Sequence, residues 1–252
     1  YKRQGDYSRS VINSYTDAYA NTLSKYYTAE VHNYKLDFGM QYTQKITKND
    51  AITLGVTYGL GHKLSSDPKC QIISTNAQTA VADTATYSIS NGLELPHSYG
   101  VGLMWNHANR WRVGADYTLQ KWSSVAYPKF DTSTNSYELV SGQFADRHKM
   151  TVGGEFCPDE RSRSFFKRVH YRMGASYATD YLKIKGQNGP KEYSVSAGFG
   201  IPIVNGYNNR SLLNISAQWV RQDSKTFVTE NSFRINIGLT FNERWFAKWK
   251  ME

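Results

Sequence analysis

The sequence predicts an all-β protein, an antiparallel transmembrane β-barrel, and three observations support this. Polar and apolar residues alternate in stretches of about nine to eleven residues, the length that a tilted strand needs to cross a bilayer. In each stretch one parity is apolar, while the other carries glycine, small polar residues and charge. Aromatic residues, among them 19 tyrosines and 6 tryptophans, lie near the ends of the apolar parity, as in the girdles of membrane barrels.

The hairpin between Ser98 and Trp122 shows this pattern most clearly. One face of its two arms carries Tyr99, Val101, Leu103, Trp105, Trp111, Val113, Ala115, Tyr117 and Leu119. The other face carries Gly100, Gly102, Met104, Arg112, Gly114, Asp116, Thr118 and Gln120. The second face is too small and too polar to form the dry core of a soluble sandwich. We therefore expect the first face to meet lipid, with Tyr117 and Trp122 in the girdle at the far end.

Further stretches alternate in the same way and bring the number of predicted strands to nine. They cover residues 33–43, 52–60, 148–156, 171–177, 193–201, 213–219 and 233–241. Short and long connections largely alternate between the strands, and barrels have short periplasmic turns and long outer loops. The predicted periplasmic turns are 45–50, 106–110, 157–169 and 202–211. The predicted extracellular loops are 65–95, 123–147, 178–192 and 221–231.

The ends of the chain complete a single predicted barrel domain, 1–252, in the outer membrane of a Gram-negative bacterium. Residues 1–28 are polar and lack clean periodicity, so we expect an extracellular loop. Residues 242–252 are expected to form a periplasmic tail. Nine is an odd number, and an open sheet would leave unpaired edges in lipid. Either residues 1–28 supply a tenth strand, or strands upstream of Tyr1 complete the barrel; the second alternative is favoured.

The composition limits the classes of binding partner that are expected for this chain. The net charge is +9, but the basic residues are scattered and no motif concentrates them, so nucleic acid is not expected. Attraction to outer membrane lipids, to acidic lipopolysaccharide or to a ligand carboxylate suits a barrel better. Cys70 and Cys157 are predicted at opposite ends of the barrel, too far apart for a disulfide. An impermeant thiol reagent is expected to reach Cys70 from outside.

Charged residues on the inward parity are the candidate site. They are Lys35, Arg112, Asp116, Lys149, Glu155 and Arg172. Antiparallel pairing places Arg112 opposite Glu155, and Asp116 near Lys149. The cations could meet a ligand carboxylate, or the charges could form a ladder of salt bridges along the wall. The ladder is favoured because unpaired buried charges are costly.

No catalytic or metal-binding motif accompanies these charges. The histidines form no H-x-x-x-H or H-E-x-x-H pair, so neither a metal nor another cofactor is predicted. His148 lies near the predicted outer rim, where a lipid-hydrolysing serine–histidine site is conceivable. No recognisable motif places a serine beside it, and we expect no enzyme.

The hairpin also resembles a known family. Leu95-Pro96, then Tyr-Gly-Val-Gly-Leu, Trp-Arg-Val-Gly-Ala-Asp-Tyr and Gln-Lys-Trp-Ser, is similar to the long-chain fatty acid transporter (FadL-type) family of outer membrane proteins. The strand pair from Phe38 to Tyr58 shares this likeness, and the end from Phe233 to Lys250 is similar to a Bacteroidetes-like branch. The resemblance implies a fourteen-stranded barrel with an N-terminal hatch, of which this chain is the C-terminal part.

The function expected from this resemblance is passive uptake of hydrophobic small molecules, such as long-chain fatty acids. The alternative is a non-transporting barrel that is a subunit of an outer membrane assembly or secretion complex. An apolar lumen would favour uptake, and a uniformly polar lumen would favour the subunit.

Overall fold

The computed structural model describes residues 2–13, 21–184, 186–204, 210–224 and 228–240. The strands of the first half are β1 (Lys2–Asn13), β2 (Thr22–Tyr34), β3 (Asp37–Lys45), β4 (Asp50–Gly59), β5 (His62–Lys63), β6 (Ser65–Ser66), β7 (Lys69–Thr75), β8 (Ala82–Ser88), β9 (Glu94–Leu95), β10 (Ser98–His107) and β11 (Trp111–Gln120). Those of the second half are β12 (Tyr127–Asp131), β13 (Ser136–Val140), β14 (Arg147–Phe156), β15 (His170–Ala178), β16 (Lys183–Ile184), β17 (Gln187–Asn188), β18 (Lys191–Val204), β19 (Arg210–Asp223) and β20 (Glu230–Thr240). The helical elements are a 3₁₀ turn at Trp122–Ser124 and a short helix, α1, at Phe165–Arg168.

One sheet of nine strands dominates the molecule, in the order β3-β4-β10-β11-β14-β15-β18-β19-β20. Every pair is antiparallel, so the sheet is a meander of successive hairpins. The nine predicted strands and the all-β class are confirmed. The pairing among described residues ends at β3 on one side and at β20 on the other. The predicted start of the first strand, at residue 33, was wrong, because Asn33 and Tyr34 belong to β2. The nine-stranded sheet, called the wall below, begins at Asp37.

The outward face of the wall consists of large apolar side chains that nothing in the described structure covers. Leu54, Val101, Val113, Val152, Val195 and Ile237 are 41–73% exposed. An apolar surface of this extent on a soluble domain would be covered by another layer, whereas on a barrel it meets lipid. The predicted parity of the strands is therefore confirmed.

Aromatic rings border this face at both ends. At one end Trp111 stacks on Phe156 at 4.2 Å between centroids, and Tyr171 meets Phe199 edge-on. At the other end Phe38, Tyr58 and Tyr99 follow one another on β3, β4 and β10, and Tyr177 contacts Tyr193 at 5.1 Å. These two belts are the predicted girdles.

Trp122 is an exception to the predicted girdle. It lies in the 3₁₀ turn beyond the end of β11 and stacks on Tyr181 at 4.5 Å, beside Phe144. The alternation that places Tyr117 outward ends at Gln120, so the parity of Trp122 carries no information. Trp122 packs with the loops and not in the belt.

A second, smaller sheet occupies residues that were expected to be loops. β1 pairs along its whole length with β2, β2 pairs with β7, and β7 pairs with β8. Residues 1–28 and 65–95, predicted to be loops, therefore contain strands. The alternative of a tenth wall strand from residues 1–28 is also wrong, because β1 and β2 belong to this separate sheet. An extracellular position for it remains a prediction.

Short hairpins also occupy two other long connections, β12 with β13 and β16 with β17. The buried apolar residues lie mostly in this loop region or at the strand ends, and include Leu64, Cys70, Val125, Phe130, Cys157 and Val169. No helix in the described part of the chain is long and apolar enough to cross a membrane.

Candidate functional site: the inward face of the wall

Three of the six predicted site residues lie side by side on adjacent strands. The register places Arg112 of β11 opposite Glu155 of β14, and Glu155 opposite Arg172 of β15. The predicted pairing of Arg112 with Glu155 is confirmed. Residues opposite each other on one face of a sheet have Cβ atoms about 5 Å apart, so their charged groups can meet.

The Glu155 carboxylate is the centre of this charge cluster. Arg112 Nη1 donates to Glu155 Oε1 at 3.0 Å, and Arg172 Nε donates to Oε2 at 2.6 Å. His170 Nδ1 lies 3.1 Å from Oε1, and Arg172 Nη1 also donates to Asn214 Oδ1. The Glu155 side chain is only 16% exposed. One half-buried carboxylate therefore holds two guanidinium groups in place.

Sequence analysis missed His170 and Asn214. His170 precedes the first residue assigned to its strand, although it shares the inward parity of Arg172 two positions later. Asn214 lies in the predicted strand 213–219, where its side chain was not distinguished from the other polar residues. A search for inward polar residues within two positions of a predicted charge would have found His170.

The other predicted residues lie apart from the cluster. Lys35 forms an ion pair with Asp37 at 2.9 Å at the start of β3. Lys149 is opposite Thr118 and Ala178, six residues along β14 from Glu155, or about 20 Å. It is exposed and forms no ion pair with a described residue. Asp116 lies between Lys149 and Glu155 along the inward face, opposite Gly102 and Thr151, and is also exposed.

An open concavity of about 500 Å³ covers part of this face. Its lining includes Arg112, Asp116 and Glu155 from β11 and β14, and Met104 is the only large inward apolar side chain among the described lining residues. Because the concavity lies on the polar parity, this parity is the inner side of the curved wall. The residues on this parity are mostly glycine, small polar residues and charged residues.

Three glycines lie on the inward face beside the charge cluster and form an area without side chains, called the floor below. Gly114, Gly153 and Gly174 face one another on β11, β14 and β15. A Cβ added at Gly153 would approach only Met173 O, at 3.5 Å. At Gly198, by contrast, an added Cβ would lie 2.7 Å from Ser216 Cβ and 2.8 Å from Ile215 O. The wall itself requires glycine at Gly198 but not at Gly153.

A carboxylate fastens the loops at the rim. Asp146 Oδ2 accepts a hydrogen bond from Lys121 Nζ at 2.6 Å, and Oδ1 accepts one from Ser123 N at 2.9 Å. Burial would raise the pKa of Asp146, but these hydrogen bonds outweigh it and lower the pKa to about 2. The contact joins the two ends of the connection between β11 and β14.

Both cysteine thiols are free and buried. Burial raises the pKa of the Cys70 and Cys157 thiols above the ordinary value. Cys70 is on β7 and lies between β2 and β8 in the smaller sheet. Because its thiol is buried there, the prediction that an impermeant reagent reaches it was wrong. The described residues contain no group of three or more histidine, cysteine, aspartate or glutamate side chains that could hold a metal.

An apolar outward face bounded by aromatic belts, with a polar concave face behind it, defines an outer membrane β-barrel protein. Within that class, the family model described as BamG matches residues 3–252. The chain therefore belongs to the BamG family. The finer resemblance to fatty acid transporters remains a prediction.

Among solved structures, a CymD monoaromatic hydrocarbon channel is similar with a TM-score of 0.49 and 12% sequence identity. The alignment covers 96% of this chain and 77% of that chain. No curated protein matched the sequence.

Proposed function

We propose that this chain is a non-transporting barrel subunit of an outer membrane protein-assembly complex. The observation that carries the proposal is the polar, self-paired inward face: Arg112 and Arg172 are both engaged by Glu155. A carrier of hydrophobic molecules needs an apolar pocket with few polar groups. Apart from the exposed Asp116 and Lys149, the described lumen face offers glycine, small polar residues and paired charge instead. The name of the BamG family, to which the chain belongs, hints at a subunit of an assembly complex and supports the same function.

Depletion in living cells tests this proposal. We expect depletion of the full-length protein to lower the folded, heat-modifiable fraction of several unrelated outer membrane barrels. Labelled fatty acid uptake would be measured in the same cells and normalised to the remaining folded barrels. Normalised uptake should not change. Loss of normalised uptake with unchanged folding of the other barrels would contradict the proposal.

Passive uptake of hydrophobic small molecules, such as long-chain fatty acids, is the second candidate. The concavity of about 500 Å³ with Met104 in its lining favours it, and Lys149 is the predicted cation available to a ligand carboxylate. The purified full-length protein in liposomes should then transport labelled fatty acid. Lys149→Met should lower transport, Lys149→Arg should preserve it, and equal rates in both variants would exclude this role for Lys149.

A further inference from the structure

Residues 158–169, in the connection between β14 and β15, combine exposed aromatic rings with positive charge. Phe165 is 46% and Phe166 72% exposed. The same segment carries four cations against two carboxylates, a net charge of +2. The cations are Arg161, Arg163, Lys167 and Arg168, and the carboxylates are Asp159 and Glu160. We call residues 158–169 the aromatic–basic turn.

Hydrogen bonds fold this turn into a defined shape. The Asp159 amide donates to the Lys167 carbonyl at 2.9 Å, and the Ser162 amide donates to the Asp159 carbonyl at 3.2 Å. The Arg161 amide donates to Asp159 Oδ1 at 3.0 Å. Val169 is buried at the end of the turn. The exposure of the two phenylalanines therefore belongs to the folded conformation of the turn.

The turn is continuous with one aromatic belt. Tyr171 Oη donates to the Phe166 carbonyl at 3.1 Å. Tyr171 itself points outward on β15, opposite Phe156 on one side and Phe199 on the other. Since the belt marks the interface between hydrocarbon and headgroups, Phe166 is at the level where phospholipid phosphates lie.

We propose that the aromatic–basic turn is a lipid anchor for the inner, periplasmic leaflet of the outer membrane. Phe165 and Phe166 enter the interface, and the basic side chains bind the phosphates of anionic phospholipids. Apolar rings gain free energy by leaving water, and cations near an anionic surface are attracted to it. Guanidinium groups also match phosphate oxygens with paired hydrogen bonds. The proposal depends on the orientation of the barrel and not on the proposed function.

Lipid binding by the full-length protein in non-ionic detergent tests the charge contribution. Phosphatidylglycerol and phosphatidylcholine are added in turn, and bound lipid is counted by native mass spectrometry. In detergent the phosphate of one lipid meets only one or two of these cations, so the variant Arg161→Gln/Arg163→Gln/Lys167→Gln should bind phosphatidylglycerol about tenfold more weakly. The matched control, Lys63→Gln/Lys69→Gln/Lys129→Gln, removes three exposed lysines elsewhere and should bind like the wild type.

Hydrogen exchange tests the aromatic contribution. In nanodiscs containing phosphatidylglycerol, residues 159–168 should exchange more slowly than in detergent, and Phe165→Ser/Phe166→Ser should abolish that difference while β14 and β15 remain protected. All variants are first checked for heat-modifiable migration; if the aromatic variant misfolds, the charge variant decides alone. Unchanged phosphatidylglycerol binding by the charge variant, an equal loss in its control, or displacement of the lipid by inorganic phosphate would overturn the proposal.

Discussion

The two faces of the nine-stranded wall share one backbone but follow opposite rules. Outward residues between the aromatic belts are mostly large and apolar and need only be compatible with lipid, whereas rings of the belts, such as Tyr171, also donate hydrogen bonds. Inward residues are small or charged, and the half-buried charges among them depend on named neighbours, as Glu155 depends on Arg112 and Arg172. Outward positions between the belts should thus tolerate any apolar residue, whereas inward positions should respond to particular contacts.

The largest expected effect separates the faces on one strand. Val152→Arg places a charge on the lipid side of β14 and should lower the free energy of unfolding by about 2–4 kcal/mol. Thr151→Arg, one residue away, points into the lumen beside Asp116 and should cost much less. Denaturation of the refolded full-length protein in lipid vesicles measures both. Equal costs would remove the distinction between the two faces.

Glu155→Gln should sharpen the comparison within the inward face. It leaves Arg112, Arg172 and His170 without their shared carboxylate, at an expected cost of about 2 kcal/mol, because each guanidinium is partly exposed and solvent screens the remainder. Asp116→Asn is the control, since Asp116 is exposed on the same face. Chevron or equilibrium denaturation in vesicles distinguishes the two. A stable Glu155→Gln protein would show that the cluster is not structural.

Glycine substitutions probe the inward floor. Gly198→Ala should destabilise the protein by about 1–2 kcal/mol, since its Cβ would overlap Ser216 and the Ile215 carbonyl. Gly153→Ala should change stability by less than about 0.5 kcal/mol in the isolated protein. The same denaturation assay applies. A large cost at Gly153 would indicate a segment seated directly on the floor.

The smallest expected effect is at the rim, where both faces end. The lowered pKa of Asp146, about 2, means that its contribution to stability is present above the ordinary value near 3.8 and is lost as the pH falls toward 2. Asp146→Asn should lower the free energy of unfolding by about 1 kcal/mol at neutral pH. It should also remove that part of the acid dependence. Denaturation between pH 5 and pH 2, at constant ionic strength, measures both.

The wall could be predicted because its two environments impose a period of two. Alternation in a stretch such as residues 98–107 fixes both the strand and its faces, and the Arg112–Glu155 register follows from pairing neighbours. The smaller sheet could not be predicted in this way. In Thr22–Tyr34 tyrosine occurs on both parities, and Lys25 and Asn33 interrupt the more apolar one. No clean alternation results, because this strand is half-buried along most of its length. Its partner β7 is also distant in sequence, so no local signal identifies the pairing.

The direction of the two edge strands has a consequence for closure. In a meander of nine, β3 and β20 run the same way, so joined directly they could form only a parallel seam. Antiparallel pairing at both edges requires an odd number of intervening strands, whichever chain supplies them. Any such closure gives a barrel with an even number of strands. The pairs formed by Asp37–Lys45 and Glu230–Thr240 are then the places where the closed barrel can open.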